Sequence, residues 1–253
     1  MDAVKKALQT ILNNDETLTQ GLSTGTAAAI FKEISELHQM LQQVGIETRP
    51  YTQRALQGLY HADETKKQRI LNDLKNWKNI LLSSEADFKE VNECRLAIQA
   101  LKYFNFKVKN RDWIEATHPD EIIEIYNPEG IQLYRSLNFF KTCGYSLLDL
   151  YVNEWFILWE RSSQVIEKIH EVVEQTLSGN KTNTKVDIGP HLIRETYDDG
   201  TTQPFEPRTA VVEFSDIYPA FDNDSANEII GFMITSKGRV ISVGDDALTV
   251  GFI

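Results

Sequence analysis

Residues 121–137, with the sequence EIIEIYNPEGIQLYRSL, are two short apolar stretches joined by a tight turn. The turn, at residues 127–130, has proline at its second position and glycine at its fourth, which favours a type I turn. The apolar residues on both sides alternate with a period of two, as in strands that bury one face. The stretch therefore predicts a β-hairpin, and strand patterning begins close to residue 120.

Upstream of this hairpin the chain has helical patterning. TAAAIFKEISELHQMLQQVG (residues 26–45) and DETKKQRILNDLKNWKNILL (residues 63–82) carry apolar residues every three or four positions. Further short helices are expected near residues 2–13 and 51–60, and another after residue 88. Together they predict an all-α bundle of four or five helices over residues 1–108, as a region for dimerisation or partner binding.

Downstream of the hairpin, one longer helix and several strands are expected. SSQVIEKIHEVVEQTLSG (residues 162–179) has one apolar side and ends at a glycine. Three strands follow it, and a last hairpin is expected from GRVISVG and ALTVGFI. The predicted fold class is α+β: the N-terminal bundle, then residues 109–253 with a five-stranded antiparallel sheet, helices on one face and an extra C-terminal hairpin.

Composition indicates an ordinary soluble globular protein, with 42% apolar and 25% charged residues. Residues 1–110 hold 13 acids against 15 lysines and arginines, a net charge of +2. The total is −11, so the remainder carries −13, which disfavours nucleic acid as a partner. We expect no membrane-inserted segment and no signal peptide. With only two cysteines, Cys94 and Cys143, we expect no disulfide framework and a cytoplasmic location.

The order of elements, two strands, short helices, one longer helix and three strands, resembles the PAS family. Three local stretches are similar to elements of that family: NPEGIQLYRSLNFF at its opening hairpin, CGYSLLDL between short helices, and YDDGTTQPFE at a later hairpin turn. The resemblance spans about residues 111–237. It implies that residues 144–146 break one short helix and start the next, with Ser146 as N-cap and Asp149 three residues later.

The resemblance also implies a ligand cavity between the sheet and helix 162–178. Its candidate lining is Phe140, Tyr145, Trp155, Ile169, His170 and Val173. His170 lies in the segment from which heme-binding PAS proteins take their iron ligand, so heme is one cofactor to consider. The alternative is a core filled by its own aromatic side chains, with no ligand.

Other motifs do not indicate catalysis. GLSTG (residues 21–25) matches the pattern of a nucleophile elbow, but polar and helical sequence surrounds it, where the elbow needs a strand. The five histidines have no paired spacing typical of zinc sites. We therefore predict no enzyme.

The leading hypothesis is a cytoplasmic PAS-type sensor that binds a small molecule or a signalling protein and relays the event by helix or dimer rearrangement. The alternatives are a scaffold or adaptor with a filled core and, third, an unrecognised α+β enzyme. A homodimer through the N-terminal region is expected in the leading case.

Overall fold

The computed structural model describes residues 16–83, 92–109, 113, 117–153, 158–179, 184–186, 188–195, 206–225 and 227–244. Helices occupy the N-terminal part, and an antiparallel sheet with further helices follows. The fold is therefore mixed α and β, as predicted. No helix in the described ranges is both long enough and apolar enough to cross a membrane.

Among the described residues, five helices precede the sheet: α1 (Glu16–Leu22), α2 (Gly25–Gln43), α3 (Gln53–His61), α4 (Glu64–Ser83) and α5 (Glu93–Tyr103). The helices predicted at residues 26–45, 63–82 and 51–60 are confirmed. The one expected near residues 2–13 lies outside the described residues. The apolar side of α2 is buried, with Ile30, Ile34 and Leu37 fully covered. Asn92 starts α5, because its side chain accepts a hydrogen bond of 3.1 Å from the Arg95 backbone N–H.

The chain divides into two compact units that are built from separated stretches. The first comprises Met1–Lys78, Gly144–Trp159 and Glu195–Pro207, and the second comprises the remainder. This partition differs from the contiguous division at residues 108/109 expected from the sequence. The all-α bundle is not confirmed as a separate body. The reason is that residues 144–159, expected among the elements of the sheet domain, belong to the same unit as α1–α3.

The sheet contains more than the five strands expected. Its main path runs β3 (Gln132–Arg135), β2 (Ile122–Tyr126), β8 (Ile229–Val243), β7 (Arg208–Asp222), β6 (His191–Glu195) and β4 (Trp159–Glu160). Two short strands, β1 (Phe106–Val108) and β5 (Thr184–Lys185), pair with β7. All pairings among β1–β3 and β5–β8 are antiparallel. The sheet has more strands because β7 and β8 are each 15 residues long. The strands β1, β5 and β6 all pair along β7, in addition to β8.

Two strand predictions need correction. β1 lies inside residues 1–108, where only helices were expected. GRVISVG does not start a separate hairpin, because β8 continues through it and pairs with β7 from Lys237 to Val243. Residues 247–253, the expected second strand of that hairpin, lie outside the described residues. The hairpin of β2 and β3 is confirmed, and the Gly130 N–H donates to the Asn127 carbonyl across 3.0 Å.

Short helices follow β3: α6 (Phe139–Thr142) and α7 (Asp149–Val152), and then the longer α8 (Ser163–Leu177). In the second unit, α8 packs against one face of the sheet. Tyr126 and Phe232 belong to the cluster that packs against α8. Tyr134 pairs with Ile125, the neighbour of Tyr126 on β2, and so points to the opposite face of the sheet. Burial and the negative charge of Glu93, at the start of α5, raise the pKa of Tyr134.

Candidate functional site

The space under α8 is where the sequence predicted a ligand cavity. Its volume is only about 10 Å³, roughly the minimum for one water molecule. Small-molecule pockets usually measure about 300–1,000 Å³. The side chains that enclose the space are all apolar: Ile169, Val172, Val173, Val186, Ile188, Phe214, Ile217 and Ile234. The face of the sheet under α8 is therefore filled by the protein itself.

The structure brings together only part of the predicted lining. Ile169 and Val173 both border the small space under α8. His170 is exposed, because the next residue on a helix is rotated by about 100° from Ile169. Phe140 is buried on α6 and packs edge-on against Phe139, with ring centroids 5.6 Å apart. An exposed histidine and a space of this size do not fit a porphyrin, so the heme assignment to His170 finds no support.

Tyr145 belongs to the first unit, whereas Ile169 and Val173 belong to the second. It is 2% exposed, its hydroxyl donates to the Leu158 carbonyl, and its ring packs edge-on against Trp159 at 5.5 Å. The polar tip that suggested ligand binding is thus satisfied by the backbone of the same unit. Trp155, the remaining candidate, lies outside the described residues.

A buried network in the first unit joins residues 144–152 to the segment before α3. Asp149 Oδ2 accepts from the backbone N–H of Ser146 at 3.0 Å and from its hydroxyl at 2.5 Å, while the Asp149 N–H donates to Ser146 Oγ at 3.2 Å. The predicted pairing of Ser146 with Asp149 is thus present, although α7 begins at Asp149 with Leu148 as its N-cap residue. Asp149 Oδ1 accepts from the Thr52 hydroxyl at 2.9 Å, and the Arg49 guanidinium donates to the Gly144 carbonyl at 2.8 Å.

This network was not predicted, although GYSLLD contains its main members. The sequence signal was the capping pattern, which predicts only a local contact. Asp149 also reaches Thr52, 97 positions away along the chain. Burial raises the pKa of Asp149, and its hydrogen bonds to Ser146 and Thr52 oppose that rise. The arrangement fixes backbone positions and presents no free nucleophile or base to solvent, since Ser146 and Asp149 are both fully buried.

A second polar cluster lies in the second unit, on the strand face that also carries Tyr126. Glu124 Oε1 accepts from the Tyr126 hydroxyl at 2.9 Å and from the Gln132 amide. The guanidinium groups of Arg135 and Arg161 both act on the Glu124 carboxyl and lower its pKa, but burial outweighs them and the pKa is raised. Burial also lowers the pKa of Arg161 to about 10.

In this cluster the two guanidinium groups of Arg135 and Arg161 act on the single carboxyl group of Glu124. Glu124 Oε1 is thus engaged by two donors of the protein itself. The sequence signal for the cluster was a glutamate inside the apolar strand EIIEIY, since a buried carboxylate requires partners. Its partners could not be identified from the sequence, because they come from β3 and from the segment before α8.

A polar pocket of about 250 Å³ lies by the bulge of β7 at Ser215. Glu121 is its buried carboxylate, with Oε1 accepting from Ser215 Oγ at 2.7 Å and Oε2 accepting from the His118 N–H at 3.0 Å. Lys237 Nζ is 3.9 Å from the same Oε1 atom. Glu121 therefore anchors the segment before β2, and its oxygens are already engaged by the protein.

Within the described part of the chain, no three His, Cys, Asp or Glu side chains are placed to hold a metal ion.

Comparison of the chain with protein-family models, with curated proteins and with solved structures gives no match. The assignment of function therefore depends on the geometry alone.

Proposed function

We propose that the chain is a non-catalytic interaction module, a scaffold or adaptor whose PAS-like core is filled by its own side chains. The observation that carries the proposal is the space of about 10 Å³ under α8. A module of this kind works through its surface, because the space under α8 offers no room for a small molecule. The predicted alternative with a filled core is thus favoured over the small-molecule sensor.

The order of elements in the structure supports the PAS-like part of the proposal. Strands β2 and β3 form a hairpin, the short helices α6 and α7 follow, then the longer α8, and finally β6, β7 and β8. This is the order on which the resemblance was based. The additional strands β1, β4 and β5 are only two or three residues long.

Substitution of Ile169 by tryptophan tests the filled core. Ile169 is 8% exposed and borders a space too small for the extra rings. We expect Ile169→Trp to lower the free energy of unfolding by about 1–3 kcal/mol through overpacking. The measurement is thermal and urea unfolding of wild type and variant, together with a search for bound small molecules in both.

Glu167→Trp is the matched control, because it adds a similar ring to the exposed side of the same helix. It should leave stability within about 0.5 kcal/mol of wild type. If Ile169→Trp retained wild-type stability and displaced a bound small molecule, a ligand cavity would exist and the sensor hypothesis would replace this proposal.

Association with a second copy stays a prediction. The broad apolar sides of the N-terminal helices favour such an association, but on α2 these residues are buried within the folded chain. An interface in this region must therefore use other side chains. Sedimentation at micromolar and higher concentrations measures the outcome: a dimer is the predicted result, and a monomer throughout would contradict it.

A further inference from the structure

The second half of β8 is an edge of the sheet. β8 pairs with β7 as far as Val243, but β2 pairs with β8 only from Phe232 to Ser236. Among the strands that the structure describes, none pairs with the other side of residues 237–243. These residues form the β8 edge. Such an edge presents backbone N–H and C=O groups that can bind a further strand.

The β8 edge carries exposed apolar side chains. Residues 231–236 of the same strand are buried, whereas exposed and half-buried residues alternate from Lys237 onward. Ile241 and Val243 are 40% and 47% exposed. Two large apolar side chains that lie two positions apart on an open edge indicate a surface that binds another polypeptide.

Two features of the β8 edge restrict which strand can pair with it. Lys237 and Arg239 are exposed at its start. Ile241 is the extra residue of a bulge against β7. Cations and bulges at an edge prevent indiscriminate pairing. They disfavour in particular any register that places the cations of two strands opposite one another, because like charges in that position are destabilising.

A second copy of the chain satisfies these restrictions in the antiparallel direction. With Ile241 opposite its own counterpart, Arg239 lies opposite the partner's Val243. Lys237 then lies at the end of the other edge, where the sequence continues into two aspartates at residues 245–246. In the parallel direction the same cations would lie side by side, which is unfavourable. The edge is thus complementary to itself, as a two-fold symmetric interface requires.

We propose that the β8 edge is a self-association surface, on which two copies of the chain pair antiparallel through residues 237–243 around a two-fold axis at Ile241. The pairing joins the two sheets and brings Ile241 and Val243 of both copies together. The backbone groups of the edge gain hydrogen-bond partners, and the apolar side chains are shielded from water. The inference goes beyond the proposed function, because it does not depend on the filled core under α8.

Sedimentation velocity of the full chain tests this surface. We expect wild type to change reversibly from monomer to dimer as its concentration rises from low to high micromolar, since one pair of short edges is a small interface. Ile241→Lys should stay monomeric over this range, because two ammonium groups would meet at the centre of the pair. Leu82→Lys is the matched control, since it replaces an exposed apolar residue of α4 and should associate as wild type does.

Circular dichroism and thermal melting show whether both variants are folded, as expected for substitutions at exposed positions. The competing occupant of the edge is the segment 247–253 of the same chain, which the sequence predicted as a strand next to this part of β8. A wild type that stays monomeric at every concentration would fit that occupant and overturn the proposal. Dimers of Ile241→Lys as stable as those of wild type would place the interface elsewhere and also overturn it.

Cysteine cross-linking tests the register, whether or not Ile241→Lys folds. In the proposed pair, Ile241→Cys places two thiols opposite one another, with Cβ atoms about 4.5–5.5 Å apart. That separation is close to the one in a disulfide, so mild oxidation should give a covalent dimer. Wild type, which contains Cys94 and Cys143, and Leu82→Cys are the controls and should remain single chains on a non-reducing gel. Equal cross-linking of Ile241→Cys and Leu82→Cys, or none in Ile241→Cys, would overturn the proposed pairing.

Discussion

Gly231→Ala is expected to remove most of the stability of the sheet, at a cost of more than about 3 kcal/mol. Gly231 is a buried residue of β8, opposite Ala220 of β7. A Cβ atom at this position would be 2.3 Å from the Tyr126 carbonyl oxygen and 2.9 Å from the Phe106 ring. The carbonyl belongs to the backbone of β2, so relief requires a shift of the whole strand.

Gly238→Ala on the same strand is the control. A Cβ atom there would meet only side-chain atoms, Thr142 Cγ2 at 2.7 Å and Ile122 Cδ1 at 3.1 Å. Side chains can move more cheaply than a strand, so we expect a loss of about 1–2 kcal/mol. Urea unfolding of both variants measures the difference. Equal stability of Gly231→Ala and wild type would mean that β2 and β8 do not approach as described.

Asp149→Ala is expected to destabilise the first unit by about 3–5 kcal/mol, because it leaves buried donors without an acceptor. The Ser146 N–H, the Ser146 hydroxyl and the Thr52 hydroxyl all donate to this carboxyl group. Asp149, Ser146 and Thr52 are each at most 2% exposed, so water cannot replace the lost oxygens without local unfolding.

Asp149→Asn separates hydrogen bonding from charge. The amide oxygen keeps one acceptor, and the substitution removes a charge that burial disfavours, as the raised pKa of Asp149 indicates. We expect a loss of less than about 2 kcal/mol for Asp149→Asn. Chemical denaturation, followed with a probe in the first unit such as Trp77, measures the free energy of unfolding of both variants. Equal and small losses for alanine and asparagine would show that the network contributes little to stability.

The sequence predicted helices well where one apolar side is continuous. In α2 the three- and four-residue spacing of Ile30, Ile34 and Leu37 specified both the helix and its buried side. The hairpin of β2 and β3 was equally clear, since the Asn127–Gly130 turn contains residues with defined backbone preferences. These are local signals, and they do not depend on the rest of the fold.

The sequence could not predict which elements share a unit. Tyr145 and Ile169 were assigned to one pocket because the resemblance placed both beside the sheet. In the structure the backbone N–H of Leu147 donates to the Arg49 carbonyl at 2.8 Å, a contact across almost one hundred positions. Such long-range backbone hydrogen bonds leave no trace in periodicity or composition. The cavity was unpredictable for a related reason, because its volume depends on how apolar side chains from several elements fit together.

The most direct test of the filled core is native mass spectrometry of freshly purified protein, combined with an absorbance spectrum. We predict masses of the polypeptide alone, as one chain or a whole number of chains, and absorbance from aromatic residues only. A retained non-peptide mass that is lost on denaturation, or a Soret band in the visible spectrum, would contradict the interaction module with a filled core. Either result would favour the small-molecule sensor instead.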